Sequence, residues 1–381
     1  MSGAPACYDP SGALIACADG PELIAYSGAD GTPLWKHFLQ GILVGLGICG
    51  DTVIGVDTDG HVQWWRRLDG ALVREARLDI RCRGLVWGGP DGLCAVLGER
   101  HLAMVARTGD FDLISVEGLC AGAFAPPGLL LGFDNGVLEL RDPATGEASA
   151  VLPVGAHIHA IAWTTLGYFV VTAGNDLLRV EHTKTAARPA PSAPSPDGQL
   201  PVAAPPSTSL RLTRTSSIGG AARALSVNED GVLAAFSVAE LSATVVELGE
   251  VQPVARITSQ RPIVTLGFGP KLFLALATDD AEFTRVDLAT GALLRPLAGL
   301  GRVPSTWPVQ VDVQSMALRG ALARVKAGGQ QIATRVERGG FFDEVGGEPG
   351  SKKRWWLMGC GATALLAGCC GCGSSALYYF W

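Results

Sequence analysis

Histidine is the side chain in this sequence best suited to acid–base chemistry or metal binding near neutral pH. His157 and His159 alternate in a strand-like segment, so their rings are expected on the same side of a strand. A pair without a third ligand is a weak indication of a metal site. The six histidines are His37, His61, His101, His157, His159 and His182. We predict no metal site from this set.

Cysteine is the second residue type that could bind a metal or act as a nucleophile. The ten cysteines are Cys7, Cys17, Cys49, Cys82, Cys94, Cys120, Cys360, Cys369, Cys370 and Cys372. The one CxxC spacing, Cys369 to Cys372, stands in an apolar tail without a second pair, a histidine or an acid beside it. The six cysteines before residue 121 lie singly in apolar runs. They are predicted to be free thiols packed as small hydrophobic groups, which fits a reducing compartment.

Known catalytic and cofactor motifs are missing from the sequence. No P-loop and no nucleophile elbow is found, and the glycines of Gly41–Gly50 are not followed by GK[ST]. Residues 1–299 carry 21 basic and 31 acidic side chains, and such an acidic body disfavours nucleic-acid binding. We predict a protein that is not an enzyme, has no cofactor and does not bind nucleic acid.

Acidic residues recur at one kind of turn along the chain. They are Asp19, Asp59, Glu99, Asp134, Asp176, Glu240 and Asp279. If these turns gather on one face, the acids form a ring that could attract a basic partner. The alternative is ordinary turn chemistry, in which an acid caps its own backbone.

The turns belong to a repeat of short strands. Between Val154 and Glu181, turn residues separate three apolar runs, Ile158–Trp163, Tyr168–Thr172 and Leu177–Val180, which predicts a small antiparallel sheet. Aligning the chain on the second turn gives steps of about 40, 40, 35, 41, 64 and 40 residues.

A period near 40 residues with about four strands per unit predicts an all-β fold, a β-propeller. Stacking the blades around an axis buries sheet faces that a single blade would leave exposed. Seven units, approximately 3–40, 41–79, 80–116, 117–154, 155–214, 218–257 and 258–298, predict seven blades over residues 1–299. Six or eight blades are also compatible with the spacing.

Four short motifs resemble a WD40 repeat, with Ala-His for Gly-His and Val-Glu for Trp-Asp: Ala156-His157, Ile161-Ala162-Trp163, Gly174-Asn175-Asp176 and Leu178-Arg179-Val180. Asp142-Pro143-Ala144-Thr145-Gly146 and Asp287-Leu288-Ala289-Thr290-Gly291 resemble the Asp-x-x-Thr-Gly turn of quinoprotein-like propellers, without that family's following Trp. Both resemblances imply a propeller. The WD40 resemblance also implies that His157 makes a structural hydrogen bond in the core.

Two segments depart from the repeat. Residues 186–207 contain seven prolines and are predicted to be an exposed loop, either merely tolerated or recognised by a partner. The outer strand of blade five can resume at Ser209–Arg214. Residues 300–351 are predicted to be an irregular or β-rich juxtamembrane stalk, although Val309, Val311 and Val313 could also close the ring or form an extra partial sheet.

The last 30 residues, 352–381, predict a transmembrane tail anchor. No charged residue occurs in the 27 positions from Trp355, and Leu357–Leu377 would span about 31 Å as a helix. Basic and aromatic residues flank this span: Lys352, Lys353, Arg354, Trp355 and Trp356 before it, and Tyr378, Tyr379, Phe380 and Trp381 after it. The positive-inside rule then leaves the propeller in the cytosol and the C-terminus at the far side of the cytoplasmic membrane. The alternative is a buried hydrophobic hairpin of a soluble domain.

Small side chains recur every four residues in the tail, at Cys360, Ala364, Gly368, Cys372 and Ala376. Such a stripe would let another helix approach closely, which predicts possible self-association, although chance can also produce it in a segment this rich in small residues.

The sequence as a whole predicts a membrane-tethered, non-catalytic propeller that acts as a platform or adaptor for protein partners. The alternative is a ligand-sensing propeller coupled to an oligomerising helix that perturbs the membrane. A propeller enzyme is disfavoured, because no cluster of catalytic residues is evident. The Ala-, Gly- and Pro-rich, Lys-poor composition is typical of a bacterium with a GC-rich genome.

Overall fold

The computed structural model describes most of the chain up to residue 294 and one further strand. The described residues are 6–9, 13–19, 21–164, 166–185, 207–218, 222–228, 231–238, 241–248, 252–269, 273–278, 283–294, 309–314, 318 and 320. The predicted tail anchor, nearly all of the proline-rich insertion and most of the predicted stalk lie outside these residues. Within them, no helix has the length and apolar character needed to cross a membrane.

The described strands form seven antiparallel sheets, which we number as blades. Blade 1 has β1 (Ala6–Tyr8), β2 (Leu14–Asp19), β3 (Glu22–Ser27) and β4 (Pro33–Phe38). Blade 2 has β5 (Leu43–Cys49), β6 (Thr52–Asp57), β7 (His61–Arg66) and β8 (Leu72–Arg77). Blade 3 has β9 (Cys82–Val86), β10 (Cys94–Gly98), β11 (His101–Val105) and β12 (Phe111–Ser115). Blade 4 has β13 (Leu119–Ala125), β14 (Gly128–Phe133), β15 (Val137–Arg141) and β16 (Ala148–Pro153).

The last three blades follow the same order. Blade 5 has β17 (Ile158–Thr164), β18 (Gly167–Thr172), β19 (Asp176–Thr185) and β20 (Ser207–Ser217). Blade 6 has β21 (Ala222–Val227), β22 (Leu233–Val238), β23 (Ser242–Glu247) and β24 (Gln252–Ser259). Blade 7 has β25 (Ile263–Phe268), β26 (Phe273–Thr278), β27 (Phe283–Asp287) and β28 (Ala292–Leu293). The predicted resumption of blade five at Ser209–Arg214 lies within β20, which pairs with β19.

The first strand of each blade packs against the first strands of its two neighbours, and β25 packs against β1. These seven strands therefore form the inner wall of a closed ring. The all-β, seven-bladed prediction is confirmed.

Burial changes from the inside of a blade to its rim. The second strands β6 and β14 are buried along their whole length, as expected for sheets covered on both faces. The fourth strands β8 and β16 alternate between exposed and half-buried residues. The second strands are continuous apolar runs for this reason, and the fourth strands are mixed in polarity.

The turns between third and fourth strands repeat one hydrogen-bond pattern. In the turn after Asp142, its carboxylate accepts from the Ala144 backbone N–H at 2.7 Å, and Gly146 has a φ of 71°. After Asp287, the carboxylate accepts from Ala289 N–H at 2.9 Å, and Gly291 has a φ of 74°. Such positive φ values strain any residue with a Cβ, which explains why both turns end in glycine.

The core is divided among the interfaces between blades. Phe169 and Val171 of blade 5, for example, pack with Phe236 of blade 6. At the interface of blades 2 and 3 the side chains of one blade pack directly on the backbone of the other, since a Cβ on Gly47 would lie 2.4 Å from Cγ of Trp87. The glycines in β5 therefore provide space for the side chains of the next blade.

A last strand, β29 (Val309–Val313), pairs antiparallel with β24 and gives blade 6 a fifth strand. Val311 and Val313 pack against the cluster shared by blades 6 and 7. Of the three arrangements compatible with the valine alternation, this one is an extra strand on an existing sheet.

Candidate functional site

Strand direction divides the connections of the ring between two faces. The turns from second to third strands and the connections between blades lie at the same ends of the strands, on what we call the linker face. The first-to-second and third-to-fourth turns lie on the opposite face. Five of the predicted acids are described and belong to second-to-third turns, so the fold places these five on the linker face: Asp19, Asp59, Glu99, Asp134 and Asp176.

Four of the seven acids have described side chains. Asp59, Glu99 and Asp134 are exposed, and Asp176 is half-buried at the start of β19. Asp19 ends β2 but its side chain is not described, and Glu240 and Asp279 lie outside the described residues. The described part of the predicted ring thus extends over blades 2 to 5.

In two of these turns a neighbouring residue caps the backbone. In blade 2 the carboxylate of Asp57 accepts from the N–H groups of Asp59 and His61, each at 2.9 Å. In blade 4 the side-chain oxygen of Asn135 accepts from Val137 N–H at 3.1 Å. The carboxylates of Asp59 and Asp134 accept no hydrogen bond from the described residues. They remain available to a partner.

Glu99 differs, because Arg83 approaches its carboxylate to 3.6 Å and both side chains are about half exposed. An exposed pair of this kind contributes at most about 1 kcal/mol to stability. A partner could therefore displace it at little cost.

His157 makes the hydrogen bond that the resemblance implied, but at a half-buried position. Its Nδ1 lies 3.3 Å from the backbone oxygen of Asp134 in the preceding blade and 4.0 Å from Sγ of Cys120. Its ring contacts His159 edge to face, with 5.0 Å between centroids. Within the described part of the chain, no group of three or more His, Cys, Asp or Glu side chains is arranged to hold a metal ion.

Burial raises the pKa of the Cys120 thiol to about 11 and that of Cys82 to about 12. At neutral pH both are thiols and poor nucleophiles. The six described cysteines are free, as predicted.

A cleft that no sequence pattern predicted lies between blades 1 and 2, and we call it the rim cleft. It has a volume of about 630 Å³ and is lined by His37, Phe38, Leu39, Gln40, Asp57, His61, Gln63, Trp65, Leu72, Glu75, Ala76 and Arg77. These residues belong to the end of β4, its connection to blade 2, the end of β6, and strands β7 and β8. The cleft therefore opens at the outer rim of the ring, at the strand ends that border the linker face.

Aromatic and ionic contacts hold the walls of the rim cleft. The His37 ring is stacked on Trp65 with 6.4 Å between centroids, and its Nε2 lies 2.5 Å from the Gly70 carbonyl oxygen. His61 Nδ1 lies 3.3 Å from the buried carboxylate of Asp57. In sequence, the sole sign of this site is the alternation of His61, Gln63 and Trp65, which puts polar and aromatic groups on one side of β7.

No protein-family model matches the sequence, and no curated protein matches it. Solved structures do match the fold. The β-propeller domain of Cps50 (Swd1) from Myceliophteria thermophila superposes with a TM-score of 0.59 at 14% identity, over 73% of this chain and 93% of that one. Raptor from Chaetomium thermophilum gives a TM-score of 0.57 at 12% identity, over 74% of this chain but 28% of the Raptor chain.

At these identities the similarity shows the fold alone. The fold is a WD40-like β-propeller with seven blades, as the blade 5 motif indicated.

Proposed function

We propose that this protein is a membrane-tethered, non-catalytic propeller that serves as a platform for protein partners. WD40-like propellers typically serve as interaction scaffolds, because a rigid ring presents many turns on one face. One observation on the linker face carries the proposal. The carboxylates of Asp59 and Asp134 are exposed there, and their turns are capped by neighbouring residues instead. A basic surface on a partner would complement these charges.

The membrane tether rests on sequence alone. The uncharged segment from Trp355 to Trp381, with Lys352, Lys353 and Arg354 before it, supports an anchor whose propeller stays in the cytosol. The test is fractionation of cells that express the full chain or a chain ending at residue 351. We expect the full chain in membranes and the shortened chain in the soluble fraction, and an equal distribution of the two would contradict the anchor.

The platform itself is tested by affinity capture with both forms, using the double variant Asp59→Lys/Asp134→Lys as comparison. Specific partners should be captured by the full and the shortened chain and lost from the double variant. If the double variant captures the same partners, the linker face is not the platform.

A second candidate function rests on the small-residue stripe Cys360, Ala364, Gly368, Cys372 and Ala376. In this alternative the propeller senses a ligand and the tail oligomerises to perturb the membrane. Replacing 352–381 by an unrelated membrane anchor separates the two functions, since a platform keeps its activity and an effector loses it.

A further inference from the structure

Blades 1 and 2, which enclose the rim cleft, and the connection between them carry more than half of the exposed large apolar side chains of the described chain. Eleven large apolar residues are exposed in the described chain, and six of them fall between residues 34 and 73: Leu34, Phe38, Ile42, Leu68, Leu72 and Val73. Phe38 and Leu72, which line the cleft, are 73% and 50% exposed. Exposed apolar groups that line a concave site, as Phe38 and Leu72 do, are typical of a surface that binds another molecule.

The charges of the cleft are unequally compensated. Asp57 is engaged by His61 and by two backbone N–H groups, and the Arg77 guanidinium lies 3.2 Å from the carboxylate of Asp79. Glu75 is exposed in β8 and forms no ion pair with any described residue. An uncompensated carboxylate therefore stands on one wall of the cleft and favours a cationic group on its ligand.

The size and position of the cleft suit a peptide side chain. Its volume of about 630 Å³ is within the range of roughly 300–1,000 Å³ found for ligand sites. Trp65, 2% exposed and stacked against His37, gives the cleft a rigid base, and the 73% exposed ring of Phe38 offers an accessible apolar surface at its edge. Because β4 and β8 both run along the rim, an extended segment can follow the opening with one side chain inserted.

We propose that the rim cleft binds an extended segment of another protein, with a large apolar side chain against Phe38 and Leu72 and an adjacent Lys or Arg paired with Glu75. This inference rests on the proposed platform function and identifies a second contact surface with its own specificity. The apolar side chain of the segment provides contact area. Its Lys or Arg makes binding depend on the sequence of the segment, because it pairs with Glu75.

The test begins with selection of a random-peptide library on the full chain, followed by fluorescence polarisation with the selected peptides. We expect these peptides to share a large apolar residue next to Lys or Arg. The Glu75→Arg and Leu72→Asp variants should each weaken binding at least about tenfold, which corresponds to about 1.4 kcal/mol.

Blade 3 offers matched controls on its own fourth strand. Asp112 is an exposed acid in β12, and Leu113 is 46% exposed there, close to the 50% of Leu72. The Asp112→Arg and Leu113→Asp variants should bind the peptides like the unaltered chain. A charge exchange adds a direct readout: a peptide with Glu in place of its Lys should bind Glu75→Arg better than it binds the unaltered chain.

The results that would contradict the rim cleft inference differ from those that would contradict the proposed platform function. If no basic–apolar peptide is selected, or if cleft and control variants bind equally, the rim cleft inference is wrong, whereas linker-face partners can still be captured. If sedimentation shows a dimer that Glu75→Arg dissociates, the occupant is a second copy of this chain, and the proposal of a foreign segment is overturned. If the unaltered chain captures no linker-face partner although it binds the selected peptides, the proposed function is contradicted and the rim cleft inference is not.

Discussion

The guanidinium of Arg285, in the third strand of blade 7, donates a hydrogen bond from Nη1 to the carbonyl oxygen of Gly28 in blade 1, with an N–O distance of 3.2 Å. The two residues are 257 positions apart, and Arg285 is only 3% exposed. Tyr8 lies beside the same guanidinium, and burial raises the pKa of its hydroxyl to about 12. Among the described strands, none is exchanged between blade 1 and blade 7. Side-chain contacts across this seam therefore hold the ring closed.

Replacing Arg285 by Met should open this seam. We expect Arg285→Met to lower the free energy of unfolding by about 2 kcal/mol, because a buried hydrogen bond to a charged donor is lost and its acceptor is left unpaired. Urea unfolding measures the change, with the exposed Arg211→Met in β20 as control. Equal stability of both variants would mean that apolar packing around Ile15, Tyr26 and Ala275 alone closes the ring.

The linker-face acids should affect binding without affecting folding. Because Asp59 and Asp134 cap no described backbone group, the double variant to Lys should keep its unfolding free energy within about 0.5 kcal/mol. Its affinity for a lysine-rich peptide should fall several-fold at low salt, and the difference should shrink as salt screens the charges.

Glu147→Lys is the control for the linker-face acids, since this exposed acid lies beside a third-to-fourth turn on the opposite face. Equal loss of peptide affinity in the control would show that net charge, rather than the linker face, attracts the peptide.

The half-buried thiol of Cys120 should be unreactive despite its histidine neighbour. With a pKa raised to about 11 by burial, less than about one thousandth of it is thiolate at pH 7.4. Its alkylation by iodoacetamide should therefore be at least about tenfold slower than in urea, and should accelerate about tenfold per pH unit up to pH 10. Mass spectrometry of the Cys120 peptide measures both. Fast labelling that disappears in His157→Ala would contradict this, because it would reveal an activated Cys–His pair.

The sequence was sufficient for the parts of the fold that depend on local chemistry. Second-to-third turns such as the one from Asp57 to His61 form their own hydrogen bonds, so their spacing predicts strand order and blade number without any knowledge of distant contacts. The hydrogen bond of His157 could also be predicted, because the blade 5 motif that implies it is a local sequence pattern.

The rim cleft could not be predicted in this way. It depends on how far β4 stands from β7 and β8, which is set by the packing of Trp35 and His37 against blade 2. No local pattern encodes that separation. Similarly, the valine alternation at 309–313 predicts a strand, but its place on β24 is decided by the apolar edge left at the interface of blades 6 and 7.

The last described strand should stabilise the blades that it touches. Val311 is half-buried against the cluster of blades 6 and 7, so Val311→Ala should lower the free energy of unfolding by about 1 kcal/mol. The neighbouring Asp312→Ala should stay within about 0.5 kcal/mol, because this side chain is exposed. Urea unfolding of both variants measures the effect.

Removing β29 altogether should have a larger effect. Because β29 covers the outer edge of β24, a chain ending at residue 299 should unfold at a lower urea concentration than a chain ending at residue 351. Equal midpoints for the two chains would mean that blade 6 is stable as a four-stranded sheet and that β29 contributes nothing to the ring.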